Sequence, residues 1–222
     1  MEPIKTHSKV LITLFLLMIV CSAAMVFHQW SLQQFVTGIQ EGGSVDMELA
    51  NQLDARDVNL SLAYLVLYLA LIVSFWTWFY RAYKNLRSAK LPGVSFKPGW
   101  TIGGFCIPLM NMVRPVEIMQ ETWRGSRFLA GETEASTWKG VSASKLVGFW
   151  WASFLGMNIV SRLAVSMEER SEELDEIFNA SQAMMSSSVL DICAALLAIF
   201  VVKRITALQA QAMFGEQEEL VF

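Results

Sequence analysis

Three polar side chains that interrupt the later apolar runs of the sequence are its first candidates for chemistry. Asn158 and Arg162 are one helical turn apart, and Asp191 lies near the start of the next apolar run. If both runs span a membrane in opposite directions, Arg162 and Asp191 fall at a similar depth. An ionisable side chain inside a span is a functional-site hypothesis by default. The sequence therefore predicts an intramembrane polar pair of Arg162 and Asp191, with Asn158 able to hydrogen-bond the same group.

Two structural explanations compete with a functional role for this pair. Both charges lie within about two turns of the helix ends, which favours an ion pair that only holds two helices together. Alternatively, Arg162 extends its apolar stem and reaches the outer surface by itself. We expect a structural ion pair between Arg162 and Asp191, and a functional site is the alternative.

A basic cluster follows directly on the aromatic end of the second apolar run. The run ends at Trp76 and Trp78, and cations then come at every third position: Arg81, Lys84, Arg87 and Lys90. Cations at this place primarily set the orientation of a membrane protein. Because they would lie near the membrane surface, we also expect them to hold the headgroups of anionic lipids.

Small residues recur at four-residue spacing in the third apolar run: Ser144, Gly148, Ala152 and Gly156. On a helix this spacing forms one stripe, which lets a neighbouring helix approach closely. In lipid, such an approach supplies the van der Waals packing that replaces the hydrophobic effect. The stripe therefore predicts a helix-packing contact. We favour a contact inside one protomer over a seam between the protomers of a homo-oligomer.

The sequence contains none of the residue arrangements that common catalytic, cofactor or metal sites require. Its two histidines, His7 and His28, have no carboxylate or cysteine at metal-ligand spacing. The motifs H-E-x-x-H, G-x-S-x-G and the P-loop are absent. The three cysteines are scattered through separate apolar segments, which is typical of small buried residues and not of a disulfide framework. We therefore expect no enzyme, no cofactor and no metal.

The composition indicates an integral membrane protein. Apolar residues make up 54% of the 222 residues and charged residues 17%, whereas a soluble domain carries about 25% charged residues. The apolar residues are concentrated in four runs, each long enough to cross a hydrocarbon core of about 30 Å. We predict an all-α fold that forms a single membrane domain, 1–222, with transmembrane helices at 10–30, 60–80, 145–165 and 186–205.

The segments between and after these helices complete the predicted topology. They are an outer helical hairpin at 31–59, a cytoplasmic interfacial segment at 81–144, an outer acidic segment at 166–185 and a cytoplasmic tail at 206–222. Within the interfacial segment, 101–113 is too short to span and is either re-entrant or interfacial. After it, Val116, Met119 and Trp123 share one face of an amphipathic helix, which places Glu121 on another face.

The distribution of charge sets the predicted orientation. Residues 81–145 contain ten basic and four acidic side chains, whereas 31–59 contains five acidic side chains and one arginine. By the positive-inside rule, both termini and the interfacial segment face the cytoplasm. The net charge of −3 gives no bulk attraction to nucleic acid, which we exclude as a partner.

A set of short motifs is spread over the central half of the chain. It consists of Tyr80-Arg81-Ala82-Tyr83-Lys84-Asn85-Leu86-Arg87, Pro98-Gly99-Trp100, Ile107-Pro108 with Asn111, Arg114-Pro115, Trp123-Arg124 and Gly148-Phe149-Trp150-Trp151. In this combination the chain resembles the bacterial integral membrane proteins of the domain-of-unknown-function family numbered 4328. The resemblance implies a multi-pass topology and no particular chemistry.

These observations favour a non-enzymatic scaffold or sensor of the bacterial inner membrane that acts through partner proteins or self-assembly. Its expected partners are membrane lipids, and either a second copy of the chain or another protein. The alternative is an oligomeric pore or a small transporter. A pore would need polar residues along the bilayer centre, whereas Asn158, Arg162 and Asp191 all lie toward one side.

Overall fold

The computed structural model describes residues 1–171 and 173–219, the last six of these by their backbone alone. Every regular element in this part of the chain is helical, which confirms the all-α fold. The helices are α1 (Lys5–Gln40), α2 (Met47–Ser88), α3 (Trp100–Cys106), α4 (Pro108–Asn111), α5 (Arg114–Leu129), α6 (Lys145–Glu168) and α7 (Leu174–Glu219), with a 3₁₀ turn at Trp138–Gly140. Glu172 of the predicted acidic segment and the last three residues of the predicted tail lie outside the described residues.

Three of the described helices, α1, α2 and α7, are long and apolar enough to cross a membrane. This finding indicates a membrane protein. The predicted span at 145–165 falls on α6, whose 24 residues also suffice to cross a bilayer. Asn158 and Arg162 lower the mean hydropathy of α6, and it is not one of the three.

The segment predicted as an outer hairpin is helical on both sides of a turn at 41–46. Gly42 has a φ of +93°, a conformation that a residue with a Cβ adopts only at a cost. Asp46 then caps α2, since its Oδ1 accepts hydrogen bonds from the backbone N–H groups of Glu48 and Leu49, both at 3.0 Å. The turn therefore ends one long helix and begins the next.

The segment 101–113 consists of two short helices, α3 and α4. The break between them lies at Ile107, whose extended backbone is what a residue before proline prefers. Pro108 then takes the first position of α4, where its missing N–H costs nothing.

The amphipathic helix predicted after this segment is α5, but its buried face is more polar than expected. Met119 is fully buried, whereas Val116 and Trp123 are only half-buried. Glu121, which we expected on a polar outer face, is only 6% exposed. The correction follows from the partners of Glu121, which lie on α2 and on the loop after it.

The described chain divides into two compact units. Unit 1 comprises Met1–Leu14, Leu71–Trp151 and the chain from Leu197 onward, and unit 2 comprises Phe15–Ala70 and Ala152–Leu196. The helices α1, α2, α6 and α7 each contribute residues to both units. All three cysteines are free thiols, and Cys21 alone of them is buried, contrary to the expectation for Cys106 and Cys193.

Candidate functional site

Unit 1 contains a buried ladder of side-chain amides. Asn85 on α2 and Gln209 on α7 are almost completely buried, and the Nδ2 of Asn85 donates to the Oε1 of Gln209 at 2.8 Å. The Nε2 of Gln209 in turn donates to the carbonyl of Ala82 at 2.8 Å and to the Oγ of Ser126 at 3.0 Å. This ladder ties α2, α5 and α7 together, and it satisfies amide groups that would be costly to bury alone.

The Asn85 end of the ladder binds the first residues of the chain. Asn85 accepts a hydrogen bond from the backbone N–H of Glu2 at 2.7 Å and donates to the Glu2 carbonyl at 2.9 Å. Two bonds to one residue fix both the position and the direction of its backbone. Ile4, two residues later, is buried. The N-terminal segment is therefore anchored to α2 and not left free.

This anchoring places the Glu2 carboxylate between two cations of the predicted headgroup cluster. Its Oε1 lies 2.7 Å from the Nζ of Lys84, and its Oε2 lies 3.7 Å from the Nη1 of Arg81. The hydrogen bond and the charge of Lys84, helped by Arg81, lower the pKa of Glu2 below its ordinary value. The carboxylate is thus an anion at neutral pH.

The two cations stand at the end of an open groove with a volume of about 610 Å³. The remaining lining comes from α2 and α3 and is mostly apolar or aromatic: Val73, Trp76, Thr77, Tyr80 and Ile102. Arg87 and Lys90 do not line it, and both are exposed. The structure therefore divides the four predicted headgroup residues into one pair at the groove and one pair outside it.

A second buried contact in unit 1 joins the start of the interfacial segment to α5. The hydroxyl of Tyr83 donates to Glu121 Oε2 at 2.6 Å and accepts from the backbone N–H of Phe96 at 2.9 Å. The other oxygen of Glu121 accepts from the backbone N–H of Ser95 at 2.7 Å. Glu121 therefore serves to fix the loop after α2, since both of its oxygens are occupied by hydrogen-bond donors.

Unit 2 contains a different kind of polar cluster, centred on Asp191. Asp191 Oδ2 accepts a hydrogen bond from the Oγ of Ser22 at 2.5 Å, and the side chain of Tyr64 also bonds to the carboxylate. Each partner lies in a candidate membrane span, Ser22 in α1 and Tyr64 in α2. A carboxylate there requires such donors, because lipid supplies none.

The structure does not bring Arg162 to this cluster. Among the described residues no ion pair joins Arg162 to Asp191, and the Arg162 side chain is exposed. Asn158 donates to the carbonyl of Phe154 on its own helix at 2.8 Å. The predicted similar depth would not by itself place the two residues on facing sides of their helices, and the exposed Arg162 side chain does not face a neighbouring helix. The interpretation of Arg162 that fits this exposure is extension to the surface by itself.

A pair that the sequence did not predict lies elsewhere in unit 2. The Nε2 of His28, a buried residue of α1, is 3.2 Å from the Oδ1 of Asp57 on α2. The Nδ1 of His28 is buried and has no hydrogen-bond partner. The signal for this pair was the hairpin itself, because a turn at 41–46 returns the chain past the end of the first apolar run.

The four residues of the predicted small-residue stripe do not share one environment. Ser144 is buried, and it caps α6, since its Oγ accepts a hydrogen bond from the N–H of Val147 at 3.3 Å. Gly148 and Ala152 are exposed. A Cβ placed on Gly148 or Gly156 would meet nothing within 4 Å. The described chain therefore supplies no close partner for this face of α6.

Close packing at a glycine occurs on α5 instead. A Cβ on Gly125 would lie 2.9 Å from Leu86 Cδ2 and 3.0 Å from Leu91 Cδ2. The signal that we did not use is helical spacing, because Gly125 lies three residues after Thr122 on the buried face of α5. The four-residue spacing that predicted the stripe on α6 does not identify Gly125, which packs against Leu86 and Leu91.

Comparison with known proteins gives a match to a family model. No curated protein and no solved structure matches it. A family model described as "Domain of unknown function (DUF4328)" matches residues 41–207, which is more than half of the 222 residues. The resemblance predicted from the motifs at Tyr80–Arg87 and after is confirmed. The chain belongs to the DUF4328 family.

Proposed function

We propose that this protein is a non-enzymatic membrane scaffold or sensor that works by binding another helix, from a second copy or from a partner protein. The observation that carries the proposal is the face of α6 that contains Gly148, Ala152 and Gly156. It has the small residues that close helix contacts in lipid require, and a Cβ at either glycine meets no atom of the described chain within 4 Å. Such a face is available to a partner.

The proposal includes a fourth span and an orientation. It takes α6 as a transmembrane helix alongside α1, α2 and α7, in the inner membrane of a bacterium. With four spans, both termini lie on one side, and the excess of basic residues in 81–145 assigns that side to the cytoplasm.

The orientation is tested by labelling single cysteines in a variant that lacks Cys21, Cys106 and Cys193. Ser44 and Ser136 are exposed, so a cysteine at either position is accessible. An impermeant thiol reagent added to intact cells should label position 44 and leave position 136 unlabelled until the cells are opened. Labelling of position 136 in intact cells would show that the orientation is wrong.

The partner contact is tested with Gly148→Leu and Gly156→Leu, using Leu155→Ile as the control. Because both glycines face open space, the leucine variants should keep the thermal stability of the protomer. They should lose the oligomer mass, or the co-purified partner, that the parent and the control show after mild detergent extraction. If the parent itself is a monomer without a partner, or if the leucine variants keep their assembly, the proposed contact does not exist.

One observation favours an oligomeric pore or small transporter as the second candidate. Ser22, Tyr64 and Asp191 form a hydrogen-bonded cluster on helices that can span a membrane. Polar groups at such a position mark ion or proton pathways in many transport proteins. Purified protein in liposomes should then conduct ions, and Asp191→Asn should change that conductance. Liposomes that stay as tight as protein-free ones would exclude this candidate.

A further inference from the structure

The groove at the end of α2 has two chemically different halves. Its lining residues on α2 recur at intervals of three or four, which places Val73, Trp76, Tyr80 and Lys84 along one side of the helix. The earlier residues are apolar or aromatic, and the later ones, Arg81 and Lys84, are cationic. Ile102 of α3 supplies the facing apolar wall.

The cationic half already holds an oxyanion from the chain itself. The Glu2 carboxylate contacts Lys84 at 2.7 Å and Arg81 at 3.7 Å, and about half of each side chain remains open to the outside. Its place is set by the backbone of Glu2, which Asn85 holds with two hydrogen bonds. The two cations are therefore arranged to receive an anion. Glu2 precedes α1, which begins at Lys5, so its carboxylate can leave the cations without unfolding that helix.

We propose that this groove binds an anionic glycerophospholipid, whose phosphate replaces the Glu2 carboxylate between Arg81 and Lys84. A phosphate matches the planar guanidinium of arginine and the point charge of lysine. Trp76 and Tyr80 are the residue types that prefer the level of lipid headgroups. An acyl chain then lies along Val73 and Ile102. The Glu2 carboxylate competes with the lipid phosphate for these two cations, so the lipid must bind tightly enough to displace it.

The apolar half of the groove is the reason to choose a lipid over a free phosphate compound. Val73 is 63% exposed and lies in the apolar run of α2, a helix that can span a membrane. A soluble phosphate would use only the cations and leave this surface uncovered. A phospholipid uses both halves at once, because its phosphate and its acyl chain are joined at the depth where the aromatic residues lie. This inference does not depend on the proposed partner contact of α6.

The chain provides a matched control for the charge of the site. Arg81→Gln with Lys84→Gln removes two positive charges from the groove, and Arg87→Gln with Lys90→Gln removes two from exposed positions on the same stretch. The two double variants have the same net charge. A difference between them therefore reports the groove and not the general attraction of a basic surface to anionic lipid.

The experiment is native mass spectrometry of the full chain in detergent, titrated with phosphatidylglycerol or with phosphatidylcholine. The quantity measured is the dissociation constant of the first bound lipid. We expect phosphatidylglycerol to bind more tightly than phosphatidylcholine. Each cation should contribute about fivefold to the affinity. The groove variant should therefore bind phosphatidylglycerol about 25-fold more weakly than the parent, and the control pair should stay within about twofold of the parent. Glu2→Gln should bind it severalfold more tightly, and this gain should disappear in the groove variant.

Three outcomes would overturn parts of the proposal. Equal loss in the groove variant and the control pair would mean that no specific site exists. Displacement of the lipid by millimolar glycerol phosphate would identify a free phosphate compound as the ligand. An unchanged affinity in Glu2→Gln would remove the role of Glu2 as competitor. Equal melting temperatures of all variants exclude unfolding as the cause of any loss, since every substituted side chain is at least partly exposed.

Discussion

The polar side chains at the centres of the two units differ in kind, although unit 1 also buries the carboxylate of Glu121 beside its amide ladder. In unit 1, the central groups are the neutral amides of Asn85 and Gln209, and each bonds to partners on other segments of the chain. In unit 2, the central groups are ionisable: Asp191 bonds to two hydroxyls, and His28 bonds to one carboxylate while its Nδ1 has no partner. Neutral amides with complete hydrogen bonding have one stable state. An ionisable group with few partners can gain or lose a proton.

This difference concerns how strictly each unit specifies its own packing. A satisfied amide ladder favours one packing of the helices, because every alternative leaves amides unpaired. Unit 1 is thus suited to hold the N-terminal segment and the groove in a fixed geometry. Unit 2 instead places ionisable side chains on helices that can lie in a membrane, where their state depends on few contacts. Substitutions in each unit test this difference.

The largest effect is expected from Gln209→Leu, which removes the centre of the amide ladder. It leaves hydrogen-bonding groups of Asn85, Ala82 and Ser126 buried without this partner, and each such group costs about 1–3 kcal/mol. We expect the free energy of unfolding in detergent to fall by about 4 kcal/mol in total. Gln211→Leu is the matched control, because Gln211 makes one exposed bond, to the Ala130 carbonyl. Equal losses in the two variants would contradict a special role for the ladder.

A smaller loss is expected from Gly125→Leu. The added side chain collides with Leu86 and Leu91, whose methyl groups lie about 3 Å from the first added carbon. Overpacking of this kind costs about 1–3 kcal/mol. Gly148→Leu is the comparison, since its added atoms meet no neighbour and should leave the stability of the protomer unchanged. A larger loss at Gly148 than at Gly125 would mean that the close contact of this protein lies on α6 after all.

The sequence predicted what depends on composition along the chain and missed what depends on rotation about a helix. The long apolar helices follow from the need to satisfy every backbone group in lipid, so their positions could be predicted from hydropathy. The burial of Glu121 could not, because its partners Tyr83 and Ser95 are 38 and 26 residues away. Likewise, the charges at Arg81 and Lys84 were evident, but not that Glu2 would pair with Lys84 from 82 residues away.

In unit 2, Ser22→Ala tests whether the partners of Asp191 stabilise the fold. The substitution removes a hydrogen bond to a group that carries charge when ionised, and such bonds contribute about 1.5–3 kcal/mol in protein interiors. Because Tyr64 remains as a second donor, we expect a loss at the lower end, about 1.5 kcal/mol in the free energy of unfolding. Repeating Ser22→Ala in an Asp191→Leu background should reduce this loss. The same loss in both backgrounds would show that the two side chains do not stabilise each other.

The smallest effect is expected for the coupling between Arg162 and Asp191. Arg162 is exposed and has no ion pair among the described residues, while Asp191 is occupied by Ser22 and Tyr64. Residues without a shared partner have additive effects within about 0.5 kcal/mol. Arg162→Met should therefore change the free energy of unfolding by the same amount in the parent and in Asp191→Leu. A coupling above about 1 kcal/mol would restore the ion pair predicted from helix depth. It would also mean that Asp191 exchanges its hydroxyl partners for an arginine in the membrane.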